Sequence, residues 1–111
     1  MKQKSIANAQ AVEMFPGITR RTLTYNDQAM LCHFEVKKGA TIPLHNHPPV
    51  QIGMVTAGKM RFFGETDADE FIAAAGEGYV LESNKPHGGE ALEDSVLIEV
   101  FTPSRPEYAE F

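Results

Sequence analysis

The sequence predicts an all-β fold, a sandwich or barrel, on three observations: short β-type runs recur along it, turn residues separate them, and no segment sustains a helical period. The first run, 18–25, ends at the turn pair Asn26-Asp27, which leads into the second, 30–36. Lys38-Gly39 closes that second run. Runs at 51–56 and 59–64 are separated only by Ala57-Gly58, which reads as a tight hairpin. The acidic stretch 65–70, ETDADE, lacks the spaced ligands and glycine of a calcium loop and reads as a solvated hairpin tip ahead of the run at 71–74. Runs at 79–82 and 96–101 complete the set. Residues 1–11 are a candidate N-terminal arm, where the alternation of Ala7, Ala9 and Ala11 suits an extra strand, a short helix or a tail.

The 111 residues suffice for one domain with one hydrophobic core, since a chain of that size buries roughly two-thirds of its unfolded surface. No repeat, low-complexity tract or linker divides them, so a single domain over 1–111 is expected. Ten Lys and Arg against fifteen Asp and Glu, with the basic residues scattered, argue against nucleic acid as a partner. A lone cysteine, Cys32, sits in the apolar run Met30-Leu31-Cys32 and reads as a buried inert thiol in a reducing compartment. Neither the first residues nor any later stretch has the apolar length of a signal peptide or membrane span, so the cytoplasm is the expected location.

The histidines carry the chemistry. His45 and His47 lie in PLHNHPP and His87 in NKPHGG, while His33 lies inside a β-type run and reads as an ordinary strand histidine. On a strand, residues i and i+2 share a face, so His45 and His47 can present their imidazoles to one point. If the chain stays extended through Pro48-Pro49, Gln51 joins that face as a fourth, oxygen donor. His87 is distant in sequence, and a barrel is the architecture that would bring it to the same cavity. Three imidazoles and one neutral oxygen suit one divalent transition metal, iron, nickel, zinc or manganese, better than calcium or magnesium.

These residues resemble the motifs of the cupin family. Gly39, His45, His47, Gln51 and Gly58 match the first motif; Gly78, Pro86 and His87 match the second, with Asn84 at its usual glycine and Ala91 at its usual asparagine. The resemblance runs from about residue 12 to 106 and implies a double-stranded β-helix, or jelly-roll barrel, with the metal near its open end. Gln51 in place of the family's usual glutamate, together with the C-terminal EVFTPSRPEY, is similar to the small single-domain cupins related to pectin degradation protein KdgF. That resemblance implies action on unsaturated uronates, converting a ring form to a linear ketonized sugar. It also implies an active-site acid, aromatic and arginine, which by spacing fall at Glu99, Phe101 and Arg105, and a homodimer. Relatives often carry His and Glu where this chain has Pro49 and Val50, and commonly aspartate at the position of Glu99.

On a strand over 96–101, Leu97, Glu99 and Phe101 share one face. Glu99 therefore faces either solvent or the barrel interior, where a desolvated carboxylate could act as acid or base. Arg105, in TPSRP, could hold a substrate carboxylate, and Phe101 could give a sugar a flat apolar wall. An iron(II) dioxygenase and a binding protein without turnover are the competing readings.

Overall fold

The seven runs form strands because their alternating residues find an interior to share, and three further strands form where local propensity is weak. The computed structural model describes residues 1–109. Its strands are β1 (Val12–Phe15), β2 (Ile18–Tyr25), β3 (Met30–Val36), β4 (Thr41–His45), β5 (Val50–Ala57), β6 (Lys59–Phe63), β7 (Phe71–Ala74), β8 (Gly78–Leu81), β9 (His87–Ala91) and β10 (Ser95–Thr102). They make two antiparallel sheets, one ordered β1-β2-β3-β10-β5-β8 and the other β4-β9-β6-β7. This is the expected all-β jelly roll. Three single turns of 3-10 helix, Ile6–Asn8, Asp67–Asp69 and Pro106–Tyr108, join or flank the strands. No helix among the described residues is long and apolar enough to cross a membrane.

The core lies between the sheets. Ile18, Met30, Val36, Leu97 and Phe101 from the larger sheet meet Met60 and Phe62 from the smaller. Cys32 is fully buried there, and burial pushes its thiol up to about 11, so it stays a protonated, inert thiol.

Two expectations about the chain path are corrected. Ala57-Gly58 is not a hairpin: β5 belongs to the larger sheet and β6 to the smaller, so the chain changes sheets there. Gly58 makes the turn with φ +86°, and a Cβ on it would lie 2.3 Å from the Asp94 carbonyl oxygen. Likewise His45 to Gln51 is not one extended strand. His45 ends β4 in the smaller sheet, residues 46–49 cross over, and Gln51 lies on β5 in the larger. The arm is a 3-10 turn followed by β1, which pairs with β2. The acidic stretch 65–70 joins the antiparallel strands β6 and β7 and is largely exposed, as expected of a hairpin tip.

Strands β4 and β9 have no local signal in the sequence, since β4 contains Pro43 and β9 reads HGGEA, without a β-branched residue. Pairing to neighbours overrides propensity here: β9 lies between β4 and β6, with Gly89 opposite both Ile42 and Phe62. Asn84, at the glycine position of the second motif, has φ +58°. Asparagine tolerates this left-handed conformation better than other side-chain-bearing residues, which is why it can stand there.

Candidate metal centre

Three elements deliver the histidines. His45 at the end of β4 is directly paired with His87 at the start of β9. His47 arrives from the crossover, whose backbone is held by Asn84 N–H donating to the His47 carbonyl at 2.8 Å. The ring centroids are 4.6 Å apart for His45 and His87, 4.9 Å for His47 and His87, and 5.6 Å for His45 and His47. One ring nitrogen from each lies within 4.8 Å of the others. His33 is outside this group, buried on β3.

The backbone sets the tautomers. Nδ1 of His45 faces the Pro43 carbonyl at 2.8 Å, Nδ1 of His47 the Pro49 carbonyl at 2.8 Å, and Nδ1 of His87 the Lys85 carbonyl at 3.0 Å. A carbonyl only accepts, so each Nδ1 carries the proton and, in a neutral ring, Nε2 is left as a bare lone pair. Burial holds His87 down to about 4, and burial with the nearby Arg105 charge also lowers His47. Both are neutral at pH 7, the state that binds metal. His87 Nε2 is buried and has no hydrogen-bond partner among the described residues. An orphaned buried lone pair aimed at two more imidazoles is the environment of a bound cation, so the residues fit the implied metal.

Gln51, buried on β5, extends the set. Its Nε2 donates to Glu99 Oε2 at 2.7 Å, which leaves Oε1 facing His47 Nε2 at 3.1 Å. Glu99 faces the interior, 3 % exposed. Burial raises its pKa against the lowering effect of donors from Tyr79 and Gln51. The Tyr79 hydroxyl donates to the same Oε2 at 2.5 Å.

These groups open on a cavity of about 280 Å³, lined by His45, Gln51, His87, Glu99, Phe101 and Arg105 among otherwise mainly apolar side chains. His47 packs beside it, its ring 5.8 Å from that of Phe101. All seven residues singled out from the sequence therefore meet in one place. The Arg105 guanidinium stands over the rings of Tyr108 and Phe101, 4.1 and 5.2 Å from their centroids, and its Nε–H donates to Glu107 at 2.7 Å. Stacking of this kind orients the planar fork while leaving its terminal N–H groups to a ligand.

Sequence reasoning missed four contributors. Tyr79 shares its inward face with Leu81, so the two-residue period would have pointed it into the barrel. Met14 and Phe15 of β1 line the cavity, and Tyr108 lies between Arg20 and Arg105, 4.3 and 4.1 Å from its ring centroid. Those placements depend on the tertiary path and have no local signal.

The family model of the cupin domain matches residues 32–101, the stretch that carries every metal-facing residue. The chain belongs to the cupin family. This cupin is 34% identical over 98 residues to pectin degradation protein KdgF of Dickeya dadantii (strain 3937), covering 86% of this chain and 87% of that protein. Among solved structures it resembles KdgF from Halomonas sp., with TM-score 0.88 and 25% identity over 98% of this chain and 99% of that one. It also shares its fold with an RmlC-like cupin from Shewanella frigidimarina, with TM-score 0.85 and 22% identity over 98% and 100% of the two chains. Bacillus subtilis oxalate decarboxylase, a protein with Mn(II) centres, aligns with TM-score 0.80 and 22% identity over 98% of this cupin but 31% of its own chain.

Proposed function

We propose that this protein is a one-domain, metal-dependent enzyme that converts the ring form of an unsaturated uronate, of the kind released from pectin or alginate, to a linear ketonized sugar. The observation that carries the reading is the meeting of three imidazole nitrogens, a buried carboxylate and a stacked guanidinium on one cavity of about 280 Å³. The relationship to KdgF supports the substrate class. His45, His47 and His87 with Gln51 Oε1 would hold one divalent ion, iron, nickel, zinc or manganese. When bound, such an ion supplies Lewis acidity toward a hydroxyl or carbonyl oxygen of the sugar.

The overall change is an isomerisation. The anomeric hydroxyl loses its proton, C1 becomes a carbonyl as its bond to the ring oxygen breaks, and the resulting enol at C5 becomes a ketone by taking a proton at C4. No atoms are gained or lost. Glu99, a carboxylate with a raised pKa on the cavity wall, is suited to take and return that proton. Arg105 would anchor the uronate carboxylate by paired N–H bonds, and Phe101 would back the sugar ring. Loss of the cyclic uronate, followed by NMR in air and under nitrogen, tests the reaction. Oxygen-independent loss is expected; oxygen consumption would replace the reading with a dioxygenase. Thermal stabilisation by unchanged uronate would replace it with a binding protein.

Arg105→Ala is expected to raise KM about 10- to 100-fold with kcat little changed, the loss of a charge-assisted hydrogen-bond pair to the substrate. Steady-state kinetics with the uronate measure it, and an unchanged KM would remove Arg105 from the site.

We propose further that the protein works as a homodimer in the cytoplasm, with the outer face of the six-stranded sheet against its copy. Ile52, Met54 and Val80 are exposed there, with Ile52 opposite both Val80 and Val100, and Met54 opposite Ile98, making an apolar patch across three strands. Sedimentation equilibrium is expected to give a dimer that Val80→Asp shifts toward monomer; a monomeric wild type at micromolar concentration would remove the proposal.

A further inference from the structure

In the larger sheet, Gly53 of β5 is paired with Tyr79 of β8 on one side and Glu99 of β10 on the other. All three lie in one row across the sheet, and the middle position has no side chain. A Cβ on Gly53 would lie 2.8 Å from the Tyr79 hydroxyl oxygen and 2.8 Å from Glu99 Cγ. The space above that glycine is where the two side chains meet, and the phenol reaches across it to donate to Glu99 Oε2 at 2.5 Å. The phenol remains a donor, since burial and the Glu99 charge both hold its proton on.

The same carboxylate oxygen accepts from Gln51 Nε2 at 2.7 Å. A carboxylate cannot donate to an amide oxygen, so this bond decides which way the Gln51 amide points. Its NH₂ group turns to Glu99 and its Oε1 turns to His47 Nε2, 3.1 Å away. The His47 Nδ1–H donates to the Pro49 carbonyl, so the His47 Nε2 that faces Oε1 is a lone pair. Two acceptors held face to face at hydrogen-bond distance repel each other unless a cation lies against both. The chain Tyr79, Glu99, Gln51 therefore holds an arrangement that a metal ion makes favourable.

We propose that Tyr79 is a positioning residue of the metal centre: its hydroxyl pins Glu99, and Glu99 in turn pins the Gln51 amide with its oxygen toward the ion. This rests on the reading of His45, His47, His87 and Gln51 as the metal ligands. Tyr79 acts only through Glu99, since its ring packs on Phe62 and Phe71, with centroids 4.5 and 6.3 Å away, and its hydroxyl bonds the carboxylate.

Tyr79→Phe in the full chain tests the inference, because it keeps the ring and removes the hydroxyl. Metal-free protein is titrated with Zn²⁺ by calorimetry, and the Co²⁺ form is read by its visible spectrum. The expected result is a thermal midpoint close to wild type in the metal-free state, Zn²⁺ affinity lowered about 10- to 100-fold, and shifted Co²⁺ bands. Phe71→Leu loosens the same ring cluster without touching the hydrogen-bonded chain; it should lower the midpoint and leave the Co²⁺ spectrum unchanged. Wild-type affinity and spectrum in Tyr79→Phe would overturn the proposal, as would Phe71→Leu reproducing its spectral shift. A wild-type protein that binds neither ion would overturn the metal centre itself, and this inference with it.

Discussion

Protein carrying His47→Ala and His87→Ala together is expected to bind no metal and to lose activity to background, while the wild type purified without a histidine tag carries about one ion per chain. Two of the three imidazoles that share the site are removed, and a single His45 with a neutral amide oxygen has neither the ligand number nor the softness to compete for a transition metal. The fold should survive. Relative to metal-free wild type, the variant forgoes only ring packing and two Nδ1–H bonds to the Pro49 and Lys85 carbonyls, each bond worth about 1 kcal/mol net. The variant also relieves the buried, unpartnered His87 Nε2. Elemental analysis and the metal-induced rise in melting temperature check this: the rise should be present in wild type and absent in the variant. One equivalent of metal retained by the variant would place the ion elsewhere.

Glu99→Gln is expected to keep the metal and lower kcat about 10²- to 10⁴-fold, the range that a positioned acid–base group contributes. The amide oxygen of glutamine can still accept from the Tyr79 hydroxyl and from Gln51 Nε2, so the ligand arrangement is preserved while the ability to carry a proton is lost. Stability should be equal or higher, because a neutral amide costs less to bury than the carboxylate whose pKa burial already raises. Metal content, kcat and the urea midpoint are the three readings. An unchanged kcat with metal retained would make Glu99 a positioning residue only, and loss of metal would show that its charge is needed to hold the centre.

How much of this was legible depends on the range of the interaction concerned. The two-residue period of a strand is local, and it correctly placed Leu97, Glu99 and Phe101 together on β10, where all three prove buried and Val96, Ile98 and Val100 are partly exposed. Which of the two faces looked inward was not local, and only the packing of the sheets chose it. The same limit explains the chain-path corrections. Ala57-Gly58 has hairpin chemistry, yet the glycine turns the chain from one sheet to the other. PLHNHPP looks like a continuing strand, yet His45 and Gln51 lie in different sheets and converge only because the barrel closes around them.

By itself the sequence determined the all-β class, offered His45, His47, Gln51 and His87 as a candidate metal-ligand set, and put Leu97 and Phe101 on one strand face with Glu99. Spacing, side-chain chemistry and the motif resemblance carried those. Only the tertiary structure decided that His87 stands opposite His45, that each Nδ1 is tied to a carbonyl so that Nε2 is free, and that β1 helps to wall the cavity. It also decided that Tyr79 reaches Glu99 across Gly53. Apart from the Nδ1 bonds, each made to a carbonyl two residues away, these depend on which strand lies beside which and on what fills the space between them. Those are properties of sheet order and packing, which residues 20 or more apart settle jointly and no short stretch of chain encodes alone.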